Sequence, residues 1–256
     1  MSYIDSFRLD DKVAIVTGGS KGLGRSIALG MGEVGAKVVV VSRTEKLIEE
    51  TANEIISHGG MAMAIPVDVR SETSIEEAVC KTMSRFGRLD ILVNNAGIAP
   101  MHPTIAVHID EWNDVIKTNL TASFLFSKSA FKNAMKNQRS GKIINIGSVL
   151  GFIASNIAPH YCAAKAGLAS LTRAHALEWA RYNVHVNCIA PGFFNTEMTT
   201  MQQEDEAHQR FLNFKIPFKR LGEPGEIVST AIFLASEASS YITGATIIVD
   251  GGYSIW

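Results

Sequence analysis

Tyr161, Lys165 and, thirteen positions upstream, Ser148 are the residues of this chain best suited to moving a proton. Four residues apart on a helix, Tyr161 and Lys165 share one face, one turn from each other. A phenol with a pKa of about 10 exchanges protons poorly near neutrality. A neighbouring ammonium favours the phenolate, and reaching the neutral range takes roughly 3–4 kcal/mol of differential stabilisation. Lys165 and a cationic cofactor ring, in a site closed to water, could supply it. Ser148 can donate a hydrogen bond to a substrate oxygen and hold it in place. Taken alone, Tyr-x-x-x-Lys also describes a plain surface pair, so the pattern needs support.

Support comes from Thr17-Gly18-Gly19-Ser20-Lys21-Gly22-Leu23-Gly24, between a strand-like and a helix-like run. Glycines at 18, 22 and 24 let the backbone turn tightly and approach a pyrophosphate. The helix beyond points its free N–H groups at that phosphate. The spacing is GxxxGxG and not the general GxGxxG, and alone it also fits an ordinary turn. Eighteen residues after Gly24, a dinucleotide fold that selects NAD places a carboxylate. Here Ser42 and Arg43 stand instead, with Lys21 inside the glycine turn. A missing acid and two cations fit a 2′-phosphate, which makes NADP(H) the expected cofactor.

These groups need a scaffold, and the chain alternates between short β-branched runs and amphipathic stretches. Segments 12–17, 37–42, 61–67, 90–94, 142–146, 184–190 and 245–249 read as strands. Segments 24–33, 45–57, 72–86, 110–136 and 161–181 read as helices. That alternation predicts an α/β fold: a doubly wound, seven-stranded parallel sheet with helices on both faces. No linker divides residues 1–256, so one domain is expected. The rhythm breaks at 192–222, which reads as a substrate lid. Phe193, Phe194, Met198, Met201, Phe211, Leu212 and Phe214 would give that lid an apolar lining suited to a hydrophobic ketone or ketoester.

The composition excludes several classes. With 24 basic and 25 acidic residues the net charge is −1, against the basic excess of a nucleic-acid binder. No apolar run is long enough to span a bilayer, and the acidic N-terminal stretch does not read as a signal peptide. Three cysteines without CxxC spacing suggest reduced thiols in the cytoplasm. Seven histidines without HxxxH or HxH spacing argue against a metal site. His102, after the Asn-Asn-Ala-Gly run, and His160, before Tyr161, could each line a substrate pocket.

The ordered motifs resemble the short-chain dehydrogenase/reductase family over nearly the whole chain. They are the glycine turn at 17–24, Asp68-Val69, Asn94-Asn95-Ala96-Gly97, Asn119, Ser148, Tyr161 with Lys165, 187–192, Thr196 and 249–252. The resemblance implies a catalytic set of Asn119, Ser148, Tyr161 and Lys165. It implies cofactor contacts at Gly18, Ser20, Lys21, Gly22, Leu23, Gly24, Ser42 and Arg43. Further contacts are implied at Asp68, Val69, Asn95, Ala96, Gly97, Pro191, Gly192 and Thr196, beside Tyr161 and Lys165. Asp68 is expected to meet the adenine amino group, and Asn94 to support the central strand and touch the adenosine ribose. Asn119 is expected to hold a water linking Lys165 to solvent. The implied reaction is hydride transfer between nicotinamide and a small-molecule carbonyl, with Tyr161 as proton donor, in a homotetramer built on segments 110–136 and 161–181. Two related activities stay open: 3-oxoacyl-carrier-protein reduction, for which Arg139 fits but Tyr182 replaces a companion cation beside Arg181, and gluconate 5-dehydrogenation. A non-catalytic NADP(H)-sensing protein would be expected to lack Tyr161 or Lys165.

Overall fold

Val38, Val39, Val40 and Val41 are all fully buried, which a strand achieves when helices cover both faces of its sheet. They form the centre of β2 (Lys37–Ser42) in a computed structural model that describes residues 3–196, 212 and 214–255. The other strands are β1 (Val13–Thr17), β3 (Met61–Pro66), β4 (Ile91–Asn94), β5 (Gly141–Ile146), β6 (Val184–Pro191) and β7 (Thr246–Val249). They pair in parallel in the order β3-β2-β1-β4-β5-β6-β7. This is the doubly wound sheet expected from the alternation of runs. Its strand order reverses between β1 and β4, where such sheets open a crevice at their carboxyl ends.

Side-chain alternation divides the core into two layers. Ala14, Val16, Val38 and Val40 pack with Ile27 and Met31 of α1 (Gly22–Glu33) and Ile48 of α2 (Glu45–Ser57). Ala231 and Leu234 of α8 (Val228–Ala235) complete that layer. Ile15, Val39 and Val41 face the other way, toward Ile75 of α3 (Glu72–Phe86) and Phe126 of α5 (Ala122–Ala130). Trp179, at the end of α7 (Pro159–Trp179), belongs to this second layer.

Two elements differ from the sequence reading. Segment 110–136 is not one regular helix: α4 (Ile109–Ile116), α5 and α6 (Lys136–Gln138) are separated by π turns at Lys117–Thr121 and Phe131–Met135. A π turn takes one extra residue into a single turn and stays helical on both sides, so a coarse reading of periodicity merges it with the α-helix around it. Helix α8 leaves no periodic trace in the sequence, because a run as apolar as Thr230 to Ala235 has no polar face to reveal a period. The expected lid falls mostly on 197–211 and 213, outside the described residues. Its base is described: Phe194 is buried and forms a parallel bridge with Gly222.

At the crevice, β1 and β4 are stitched together. Thr17 Oγ1 accepts from the Asn95 and Ala96 amides at 2.9 and 3.1 Å and donates to the Val93 carbonyl at 3.2 Å. Asn95 Nδ2 donates back to the carbonyls of Thr17 and Gly18 at 3.0 and 3.2 Å. This tight approach explains two glycines. Gly18 has φ +64°, and a Cβ on Gly24 would lie 2.3 Å from both Asn95 Nδ2 and the Gly18 carbonyl. Gly24→Ala is therefore expected to cost about 1–3 kcal/mol by overpacking. Gly225→Ala, whose Cβ would meet nothing within 4 Å, should change stability by less than about 0.5 kcal/mol. Urea unfolding of both variants checks this, and equal losses would refute the close approach.

Candidate active site

β5 ends at Ile146, and Ser148 caps the short 3-10 turn Val149–Gly151, its Oγ accepting from the Leu150 amide at 3.1 Å. α7 then starts with Pro159, a residue pre-set for the first helical position. Its first turn carries Tyr161, and the next carries Lys165. The 3-10 turn lies directly on α7: a Cβ on Gly151 would come within 2.9 Å of the Lys165 carbonyl carbon. The three residues expected to act together do meet. The Tyr161 hydroxyl hydrogen-bonds the Ser148 side chain. Lys165 Nζ lies 5.5 Å from the Tyr161 ring centre and donates to the Ile146 carbonyl at 2.7 Å.

The protein's own groups raise the phenol pKa, whereas the lowering expected above joins Lys165 to a cationic cofactor ring. Tyr161 as a residue is partly exposed, yet protein atoms crowd its hydroxyl, and that desolvation pushes its pKa up to about 12. The Ser148 hydrogen bond pulls in the other direction but does not win. Burial also pushes the Lys165 ammonium down to about 8. Both shifts favour the neutral form, because each group loses more hydration than its neighbours return. At neutral pH the phenol holds its proton and Lys165 is largely charged.

Asn119 sits in the first π turn with its amide engaged at both ends by one peptide. Nδ2 donates to the Ile98 carbonyl at 2.7 Å and Oδ1 accepts from the Ile98 amide at 2.9 Å. The side chain thus fixes the loop after Gly97. Leu120, next to it, packs against Gly167 on α7.

The expected cofactor residues line the carboxyl edge of the sheet. Gly22 faces the Thr196 side chain, where a Cβ would be 3.5 Å away, so the glycine turn and the segment after β6 approach each other. Pro191 pairs with Val249, and the Gly192 amide donates to the Val249 carbonyl at 2.9 Å. Ser42 ends β2 and Arg43 beyond it is exposed, with no carboxylate at either position. Val69 is buried. Both Asp68 oxygens accept from Arg70, whose guanidinium also reaches Asp114 at 3.1 Å, and Arg70 holds the Asp68 carboxyl down at about 2. Asn94 is buried away from the crevice. Its amide donates to Asn145 Oδ1 at 2.8 Å and Ser127 Oγ at 3.0 Å, and Asn145 passes the chain on to Thr172 Oγ1 at 2.9 Å. These bonds tie Asn94 of β4 to β5 and α5. His160 is fully buried, so it lines no open pocket. The sequence reading missed Glu111, whose carboxylate faces both His102 and His160. No spacing rule links residues that far apart in the chain.

A parallel sheet with a glycine turn at its reversal point, and a serine, a tyrosine and a buried lysine gathered beside the end of a neighbouring strand, fits a dinucleotide-cofactor oxidoreductase as a class. Comparison with known proteins narrows the class. The family model described as enoyl-(acyl carrier protein) reductase matches residues 18–254. The 5-keto-D-gluconate 5-reductase of Escherichia coli is 38% identical over 248 residues, covering 97% of each chain. The 3-oxoacyl-(acyl-carrier-protein) reductase of Vibrio harveyi is 42% identical over 95% of this chain and 98% of its own. A gluconate 5-dehydrogenase from Burkholderia cenocepacia, solved in complex with NADP and tartrate, superposes with a TM-score of 0.95 at 35% identity over 100% of both chains. The chain belongs to the short-chain dehydrogenase/reductase family.

The buried ammonium has a stability consequence with a definite sign. The folded-state pKa of Lys165, about 8, lies below the ordinary 10.5, so between those values the unfolded chain binds the extra proton. Stability should therefore rise with pH across that window through this residue. Lys165→Met keeps the stem and removes the charge. It is expected to raise the Tm at pH 7, flatten that rise and lower turnover by about a hundredfold. Thermal melts against pH check it, and a lower Tm at pH 7 would show that the charge stabilises the fold.

Proposed function

We propose that this protein is an NADP(H)-dependent oxidoreductase that interconverts a ketone and a secondary alcohol on a polar hydroxy-acid or sugar-acid substrate. One observation carries the reading: a phenol that stays protonated, hydrogen-bonded to a serine and one turn from a buried ammonium. Ser148 Oγ accepts from the Leu150 amide, and its one hydrogen, turned toward Tyr161 in the state described, would turn to a substrate oxygen when one is bound. Tyr161 Oη gives its proton to that oxygen as the carbonyl is reduced, and Lys165 keeps a positive charge near the phenolate left behind. In the reverse direction Tyr161 takes the proton back. Asn119 acts by holding the loop at Ile98.

The cradle suits a dinucleotide. Gly18, in a left-handed conformation, and Gly24 let the turn pack tightly against Asn95 and Ala96, which fixes the bare backbone at the mouth of the crevice. Gly18, Ser20, Lys21, Gly22, Leu23 and Gly24 would hold the pyrophosphate, Ser42 and Arg43 the 2′-phosphate, and Asp68 with Val69 the adenine. Asn95, Ala96, Gly97, Pro191, Gly192 and Thr196 would border the ribose and nicotinamide. Bound there, NADP(H) supplies the hydride.

The substrate class draws support from the sugar-acid activities named for the relatives. The apolar lid lining has less support: Phe194 and Leu212 are buried and Phe214 is exposed, while Met198, Met201 and Phe211 lie outside the described residues. Reduction of carrier-bound acyl groups is a second reading. Arg139 and Arg181 flank the Tyr182 ring, at 6.0 and 5.0 Å, and gather two cations at one surface. The whole chain is proposed to act as one cofactor-binding domain in the cytoplasm, and as a homotetramer. Phe124 and Leu177 are exposed on α5 and α7, the helices expected at the subunit contact.

NADPH oxidation with a panel of keto sugar acids, hydrophobic ketones and acetoacetyl thioesters tests the reading. The expected order places keto sugar acids first, with NADPH preferred to NADH by about tenfold or more, as one charge-assisted contact to the 2′-phosphate allows. Tyr161→Phe should keep NADPH affinity and lose more than about 1.4 kcal/mol of transition-state stabilisation, under a tenth of wild-type kcat. A variant above that mark would remove Tyr161 as donor, and exclusive use of thioesters would favour the carrier-bound reading. Light scattering at micromolar concentration should give about four times the 27.7 kDa chain mass, and a monomer mass would refute the tetramer.

A further inference from the structure

Glu111 stands between two histidines that the proposed reaction does not use. His102, half-exposed on the loop between β4 and α4, places Nδ1 3.0 and 2.9 Å from the two Glu111 oxygens. His160, fully buried and immediately before Tyr161, places Nε2 3.1 Å from Glu111 Oε1. A carboxylate has no proton to give, so His102 Nδ1–H must be the donor to it. The His160 contact has the distance of a hydrogen bond without its alignment, and neither buried ring nitrogen has a hydrogen-bond partner among the described residues. A buried polar atom left in that state calls for an explanation. Here a small turn of the ring would complete the bond, and contacts of this kind often tighten when an active site fills.

One carboxylate thus touches three parts of the site. Glu111 lies in the first turn of α4, where the helix dipole favours its charge. It borders a groove of about 850 Å³ together with Ile98, Ala99 and Pro100. Ile98 is the residue gripped by Asn119, and His102 lies four residues further along the same loop. On the other side, His160 occupies the first turn of α7, and its main chain leads directly into Tyr161.

We propose that Glu111 is a positioning residue, which sets Tyr161 through His160 and seats the loop over the site through His102. This rests on the reading of Tyr161 as proton donor. Seating the loop and orienting the phenol become one event, so a substrate that orders the loop also completes the donor.

Steady-state kinetics with the best ketone of the panel, together with NADPH titration by fluorescence, test this in the full-length protein. Glu111→Ala is expected to lower kcat by about tenfold to a hundredfold, the cost of a misplaced catalytic group. NADPH affinity should stay within about twofold, since Glu111 contacts no proposed cofactor residue, and Glu111→Gln should recover part of the loss. His102→Gln should raise KM more than it lowers kcat. Adding His160→Gln to Glu111→Ala should cost little more, because residues acting through one contact are not additive. A Glu111→Ala enzyme with kcat within about twofold of wild type, beside an inactive Tyr161→Phe, would overturn this inference and leave the proton donor standing. Losses that multiply in the double variant would also overturn it. If Glu111→Ala does not fold, His102→Gln decides: its residue is half-exposed, and an unchanged KM would refute the coupling.

Discussion

Removing an ammonium from water costs several kcal/mol unless protein dipoles replace the lost hydration. Lys165 is buried on α7, and its 2.7 Å bond to the Ile146 carbonyl shows where part of that replacement comes from. That bond requires α7 to lie against the very end of β5. The chain therefore has to turn sharply after Ile146. Ser148 caps the turn, and Gly151 lets it rest on the backbone of Lys165. The placement of Ser148 beside Tyr161 follows from accommodating one cation.

The same crowding explains why the phenol does not ionise early. Desolvation acts on Tyr161 and Lys165 together, raising one pKa and lowering the other. A lysine near a tyrosine is therefore not by itself an acidifying device. How far each charge is stripped of solvent decides the balance. In the state described, both groups are pushed toward their neutral forms. Oxidation would need further positive charge near the phenol, of the sort an oxidised nicotinamide carries.

Two polar networks keep the strand ends where this chemistry needs them. Thr17 and Asn95 join β1 to β4 at the reversal point and shape the glycine turn. Beneath the site, Asn94, Asn145 and Thr172 run from β4 through β5 to α7, with Ser127 linking in α5. A buried polar chain is costly when incomplete and specific when satisfied. Asn94 Oδ1 is its one buried atom without a hydrogen-bond partner among the described residues, and the remaining bonds tie α7 to the sheet beneath Tyr161 and Lys165.

The sequence alone determined what depends on local spacing. Strand runs such as 37–42, the glycine turn, the four-residue step from Tyr161 to Lys165 and the absence of an acid after β2 are contiguous patterns that report their own geometry. They also carried the family resemblance. Other features depend on groups that meet across the fold. The sequence placed Asn119 in a helix, but the π turn and its grip on Ile98 arise from packing between α4, α7 and the loop. It named His102 and His160 separately, and only their convergence on Glu111 joins them. It showed which charges can stand near the phenol, because charge is written in the residue types. Tertiary structure decides how far the phenol is stripped of water, which raises its pKa here, because desolvation is a property of surroundings that no local spacing encodes.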